Sequence, residues 1–182
     1  MARAHRARIV MLACLVGLLG GCALSTRLTT NQARDYKGNP RRIYVVFHSV
    51  DEYGPTFDRT FIAKSSQLAK DCGAALEGTT ITGLELDKNA YLVAVKAFNP
   101  DTVLVLRRAG GTKTEFGQLL YLLLNIELVD VPANRIVWRA KADFHRGSSL
   151  IPIEQRAEAL ATDITGRLKA DGILKCPEGG SV

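Results

Sequence analysis

The chain has 182 residues, 24 Lys and Arg against 18 Asp and Glu, a formal charge of +6, and 47% hydrophobic residues. Residues 1–21 hold three arginines and no acid, so without them 161 residues and a charge of +3 remain. That length suffices for one domain with a real core. The remaining charge is scattered rather than gathered into a basic run interleaved with aromatics, so nucleic acid is not an expected partner.

Arg3, Arg6 and Arg8 precede an uncharged apolar run over residues 9–19, which two glycines close. This is the order of a secretory signal. As a helix the run reaches only about 16 Å at ~1.5 Å per residue, well short of the ~30 Å hydrocarbon core of a bilayer. A mature membrane-spanning helix is therefore not expected here.

The sequence Leu19-Gly20-Gly21-Cys22 resembles the lipobox of bacterial lipoproteins. The resemblance implies removal of residues 1–21, a thioether-linked lipid on Cys22, and an acylated new amino group. Two or three chains hold a protein firmly where one does so marginally. The other reading is a chance cysteine in an ordinary signal peptide, and both readings export the chain. In a Gram-negative envelope, Ala23 after the cysteine implies outer-membrane sorting, because enteric lipoproteins kept in the inner membrane have Asp there.

Cys14 leaves with the leader, and Cys72 and Cys176 remain in a compartment that permits disulfides. A bridge between them closes a loop of about 100 residues, worth ~4–5 kcal/mol in the chain-entropy model. The alternative is a buried Cys72 on a helix face and a free Cys176 in a mobile tail over residues 175–182.

Residues 22–42 lack an apolar period and read as a lipidated cysteine followed by a flexible tether, with the folded domain over residues 43–174. Ile43-Tyr44-Val45-Val46-Phe47 suits a buried strand. Phe61, Ile62, Ser65, Leu68, Ala69, Cys72 and Leu76 recur at helical intervals, predicting an amphipathic helix of about five turns that Gly73 and Gly78 weaken. Residues 79–84 form a weak strand, and Asp87 is placed to cap a second helix reaching Phe98, which Asn99-Pro100 stops.

Thr102-Val103-Leu104-Val105-Leu106 has the continuous apolar character of an interior strand. After a Gly110-Gly111 linker, residues 119–129 and 136–144 form a long hairpin turning at Pro132-Ala133-Asn134. In its return strand Ile136, Trp138, Ala140, Ala142 and Phe144 share one face, and Arg139, Lys141 and Asp143 the other. The closing helix begins near Pro152, with Ile153, Ala157, Leu160, Ala161, Ile164 and Leu168 as its stripe.

The expected fold is a single α/β domain, a mixed sheet packed with amphipathic helices in the order β-α-β-α-β-β-β-α. With the hairpin "LLNIELVDVPANRIVWRAKADF" and the closing helix, this order over residues 43–171 resembles CsgG-like and LpoB-like lipoproteins and the amino-terminal domain of TolB. The resemblance implies an envelope adaptor or assembly factor rather than an enzyme.

His48, Asp51 and Glu52 follow the first strand, where α/β sheets often place a site. Such residues are more often a solvated loop whose aspartate helps begin the next element. Ligand spacing for a metal is absent, and no cofactor is implied. In "AGGTKTEF" a threonine precedes Lys113 and Gly110 lies only three residues before it, which does not fit a phosphate loop. Gly-x-Ser-x-Gly and His-Glu-x-x-His do not occur.

Two surfaces stand out. Arg139 and Lys141, on the hairpin's exposed face, are candidates for binding another envelope protein. His48, Arg107 and Arg108 are candidates for an anionic small molecule, glycan or lipid headgroup, since guanidinium forks pair with phosphate and carboxylate oxygens.

Overall fold

A computed structural model describes residues 24–177 apart from 88, 118, 146, 148 and 149. Residues 1–23, which include the segment read as a leader and Cys22, and residues 178–182 lie outside the described residues. Six strands form one mixed sheet in the order β1-β6-β5-β4-β2-β3. The strands are β1 (Ser25–Gln32), β2 (Arg42–His48), β3 (Ala75–Ile81), β4 (Thr102–Lys113), β5 (Leu119–Asp130) and β6 (Arg135–His145). The helices are α1 (Gly54–Lys70), α2 (Ala90–Phe98) and α3 (Ile153–Ala170).

β2 sits between the parallel strands β3 and β4. Because Ile43, Tyr44, Val45, Val46 and Phe47 are all buried, both of its faces must be covered. Ile43, Val45 and Phe47 enter the main core, with Phe57 and Phe61 of α1 and Leu160 and Ile164 of α3. Tyr44 and Val46 enter a smaller cluster with Val105, Phe98 and, half-buried, Tyr91 and Val95 of α2. Thus α1 and α3 pack on one face and α2 alone on the other. Strands β4, β5, β6 and β1 then run as an antiparallel series.

The expected fold class is the one observed, with an additional strand at its start. The stretch read as a tether contains β1, which pairs with β6 from Ser25 opposite His145 to Gln32 opposite Trp138. The folded domain thus begins near residue 25 rather than 43. Leu24 and Leu28 pack on the core, and Thr, a good strand former, supplies the polar positions of an edge strand with one wet face. Even the segment that follows is docked, because Tyr36 is buried in the core.

Other boundaries moved for local reasons. α1 starts seven residues before Phe61 and stops at Lys70, where Gly73 takes φ +71° and the Ala74 N–H donates to the Ala69 carbonyl. This ending hands Leu76 to β3. A Cβ at Gly78 would lie 2.9 Å from Val45, so this glycine lets β2 and β3 come together under α1 rather than weakening the last part of a helix. Gly110 and Gly111 belong to β4, at a shift in its pairing with β5. Val137 is the extra residue of a bulge, because Leu128 faces Trp138 while Val129 faces Ile136. Val137 and Trp138 are therefore both buried, and Ile136 is exposed instead of facing the core.

A polar relay ties the sheet's outer strands to α3. Trp138 Nε1 donates to Asp171 at 2.8 Å, Arg167 pairs with the same carboxylate at 3.0 Å, and Arg167 donates to Thr30 of β1 at 2.6 Å. A disulfide joins Cys72 to Cys176, spanning 104 residues. The segment read as a C-terminal tail is thereby fastened to the turn after α1.

Two outcomes follow for stability. The double variant Cys72→Ser/Cys176→Ser should lose about 3–5 kcal/mol in denaturant unfolding, and a reductant should bring the wild type to the same midpoint. Asp58 of α1 is buried, and its Oδ2 accepts a hydrogen bond from Ser49 at 2.6 Å. Burial raises its carboxyl pKa above 3.8, the Ser49 hydrogen bond opposes the rise, and Asp51 adds to it. A carboxyl raised on folding contributes most below its unfolded pKa and loses that contribution as pH rises through the native value. Relative to wild type, Asp58→Asn should therefore be more favourable at pH 7 than at pH 4, as read by denaturant midpoints.

Candidate functional site

The sheet face that carries α2 is covered only over β2, β3 and β4. Beside that helix, β5, β6 and β1 present alternate side chains to solvent. Arg139 and Lys141 of β6 lie here, opposite Asn31 and Thr29 of β1 on one side and Glu127 and Asn125 of β5 on the other. Arg107 of β4 faces Asn125. Together these residues line a hollow of about 590 Å³.

Glu127 is the hinge of the cluster. Its carboxylate accepts from Arg107 at 3.2 Å and from Arg139 at 3.0 Å. One negative charge is thus shared between two guanidiniums, with Lys141 beside them in the same hollow. Three cations against one carboxylate leave an excess of positive charge and unused N–H donors. Because both arginines are more than half exposed, the pairs stay accessible to competing anions.

His48, the last residue of β2, stands next to Arg107 in the middle of β4, in a groove of about 900 Å³ between the sheet and α2. Burial lowers its pKa below 6.5, the positive field of Arg107 lowers it further, and Glu85 opposes both. At neutral pH the ring is therefore uncharged, offering one donor and one acceptor rather than a cation. The groove is apolar along Val46, Val95, Val103 and Val105, and Arg107 lines both it and the polar hollow.

Arg108 does not join them. Strand alternation turns it to the opposite face, where both Glu52 oxygens accept from it at 2.8 and 2.9 Å and Lys113 pairs with Glu52 at 2.7 Å. Burial pushes the Glu52 carboxyl up, but hydrogen bonds from Lys113, its own backbone and Arg108 outweigh this and bring it down to about 2. Arg108 is engaged in fixing the loop after β2. Of the three residues considered together for an anion, the fold gathers His48 and Arg107, and it brings Arg139 and Lys141 to the other side of Arg107.

Sequence reasoning missed Glu127, Asn125, Thr29 and Asn31. Glu127 was discoverable, since it lies within the same hairpin and pairs across it with Arg139. Thr29 and Asn31 required knowing that residues 25–32 form a strand. Among the described residues no group of three metal-ligating side chains gathers, and no helix is long and apolar enough to cross a membrane.

No protein-family model and no curated protein matches the chain. Among solved structures, the PelC dodecamer from Paraburkholderia phytofirmans is similar at a TM-score of 0.51 and 13% identity, over 83% of this chain and 99% of that one. Lipoprotein GNA1162 from Neisseria meningitidis is at 0.42 and 16% identity, over 72% and 99%. Protein XCC0632 from Xanthomonas campestris is at 0.39 and 12%, over 74% and 90%. The first of these shows that the chain shares the fold of PelC.

Proposed function

We propose that this chain is a lipid-anchored lipoprotein of the outer membrane's periplasmic face, acting as an adaptor or assembly factor for an envelope protein complex. The lipobox-like sequence ending in Cys22 supports the anchor, and Ala23 supports the outer membrane as its address. The observation that carries a binding role is the uncovered sheet face, where Arg107, Arg139 and Lys141 surround Glu127. Such a surface suits a partner with a carboxylate-rich patch, which would compete with Glu127 for the guanidiniums. The role is one of binding rather than catalysis. PelC is described as a dodecamer, so association of copies is one form that assembly can take here.

A second reading is favoured by Arg107, which lines both hollows. An apolar groove beside His48, sharing Arg107 with the hollow that Asn125 and Thr29 line, suits a small anionic ligand, glycan or lipid headgroup with an apolar portion.

Photoreactive residues at 139 and 141, crosslinked in intact cells and followed by mass spectrometry, separate the two readings. The adaptor reading expects one dominant envelope protein, and Arg139→Glu with Lys141→Glu, read by photocrosslinking from position 125, should lower its capture at least tenfold. Losing the Arg139–Glu127 pair and setting a second carboxylate opposite Glu127 should cost about 1 kcal/mol, so the unfolding midpoint should fall only slightly and the variant should remain folded. Unchanged capture in a folded variant sinks the surface assignment. No captured protein, with a ligand retained on purification that phosphate displaces, favours the second reading.

A further inference from the structure

β2, β3 and β4 are parallel and finish at one end of the sheet. β1 begins at that same end, because Ser25 pairs with His145, the last residue of β6. Four loops close it: residues 49–53 before α1, 82–89 before α2, 114–118 between β4 and β5, and 146–152 before α3. Among the described residues, the most exposed large apolar side chains are Leu84 at 86%, Leu86 at 105%, Phe116 at 83% and Leu150 at 90%. All four are on these loops. The opposite end carries only the less exposed Val131 and Ile136.

The first loop is built to hold its leucines outward. The Glu85 carboxylate turns back to accept the Thr82 N–H at 2.7 Å, the Gly83 N–H at 2.9 Å and the Thr82 hydroxyl at 2.9 Å. Its polar groups are satisfied within the turn, and the apolar ones on either side face away. A solvated loop normally does the reverse. Ordering a loop so that leucines meet water is unfavourable unless something apolar covers them.

We infer that this end of the domain lies against the bilayer, with the tips at residues 84, 86, 116 and 150 entering the boundary between headgroups and acyl chains. The inference rests on the reading of Cys22 as the lipidated residue. Cys22 precedes Ser25 by three residues, a reach of at most ~11 Å at ~3.3–3.6 Å per residue. With β1 folded from residue 25, no tether remains to hold the domain away, and the anchor delivers this end of the sheet to the membrane. The tips come from loops following β3 at one edge of the sheet and β6 near the other. They form a broad contact suited to a surface rather than a single peptide. By sequence these loops hold Asp51, Glu52, Glu85, Asp87 and Glu115 against Lys88 and Arg146, so the contact is apolar in character and calls for no anionic lipid.

The native tryptophan Trp138 is 1% exposed and lies toward the opposite end, opposite Gln32. Tryptophans introduced elsewhere therefore report independently. Full-length lipidated protein carrying Leu86→Trp, Phe116→Trp or Leu150→Trp would be placed in phosphatidylcholine vesicles containing brominated phosphatidylcholine, with Ala133→Trp in the β5–β6 turn as reference. Each of the three should be quenched at least twofold more than the reference, and adding Leu84→Glu to Phe116→Trp should remove at least half of its excess. Quenching no greater than the reference overturns the inference, whether acrylamide reaches the reporters from water or a second protein shields them from both quenchers. Intact mass of the same samples reports the lipid on Cys22. Its absence removes the anchor reading and this inference with it, whereas lipid present without quenching overturns the orientation alone.

Discussion

A sheet of six strands is about 24 Å across at ~4.8 Å between neighbours, whereas one helix with its side chains covers about 10–12 Å. Two helices, α1 and α3, are enough to close the core side. Among the described residues the other side has only α2, nine residues long. Its position follows from chain handedness: β2-α1-β3 and β3-α2-β4 step to opposite sides of β2, and right-handed crossovers send their helices to opposite faces. The parallel half of the sheet is therefore covered twice and the antiparallel half once. The uncovered half can be soluble only if it is polar, and Thr29, Asn31, Asn125, Glu127, Arg139 and Lys141 are what the fold places there.

This division decides what was legible in the chain. β2 and the start of β4 read correctly because burial on both faces demands unbroken apolar runs. β6 was legible because one wet face imposes alternation, and the reading failed only at Ile136, where the bulge at Val137 reverses parity without any proline or glycine to signal it. β1 was misread because an edge strand with one wet face needs little apolar content, and its threonines serve equally in a loop. The glycines were misread in a consistent way: Gly78 and Gly110 were taken as breaks, whereas both lie inside strands.

The candidate site was legible as residue types but not as a constellation. Arg107 and Arg108 are adjacent in sequence, and a strand necessarily sends them to opposite faces, so one was lost to Glu52 and the other joined Arg139. The loops at the head of the sheet were less legible still. Leu84 and Leu86 alternate with Glu85 as in a strand, and only the folded-back carboxylate, held down to about 2 chiefly by the Thr82 N–H and its own backbone N–H, reveals that the alternation sorts apolar groups outward.

The relay from Trp138 through Asp171 and Arg167 to Thr30 has a mechanical meaning. β1 runs from the end of the sheet nearest Cys22 toward the far end, so tension between the chain's amino-terminal end and a load on the domain acts along the strand axis. In that geometry the β1–β6 hydrogen bonds are sheared together rather than peeled one after another, and the Arg167–Thr30 bond from α3 lies within the loaded length. The first strand thus serves as the seam through which pulling forces enter the fold, and it is stitched on both its edge and its inner face.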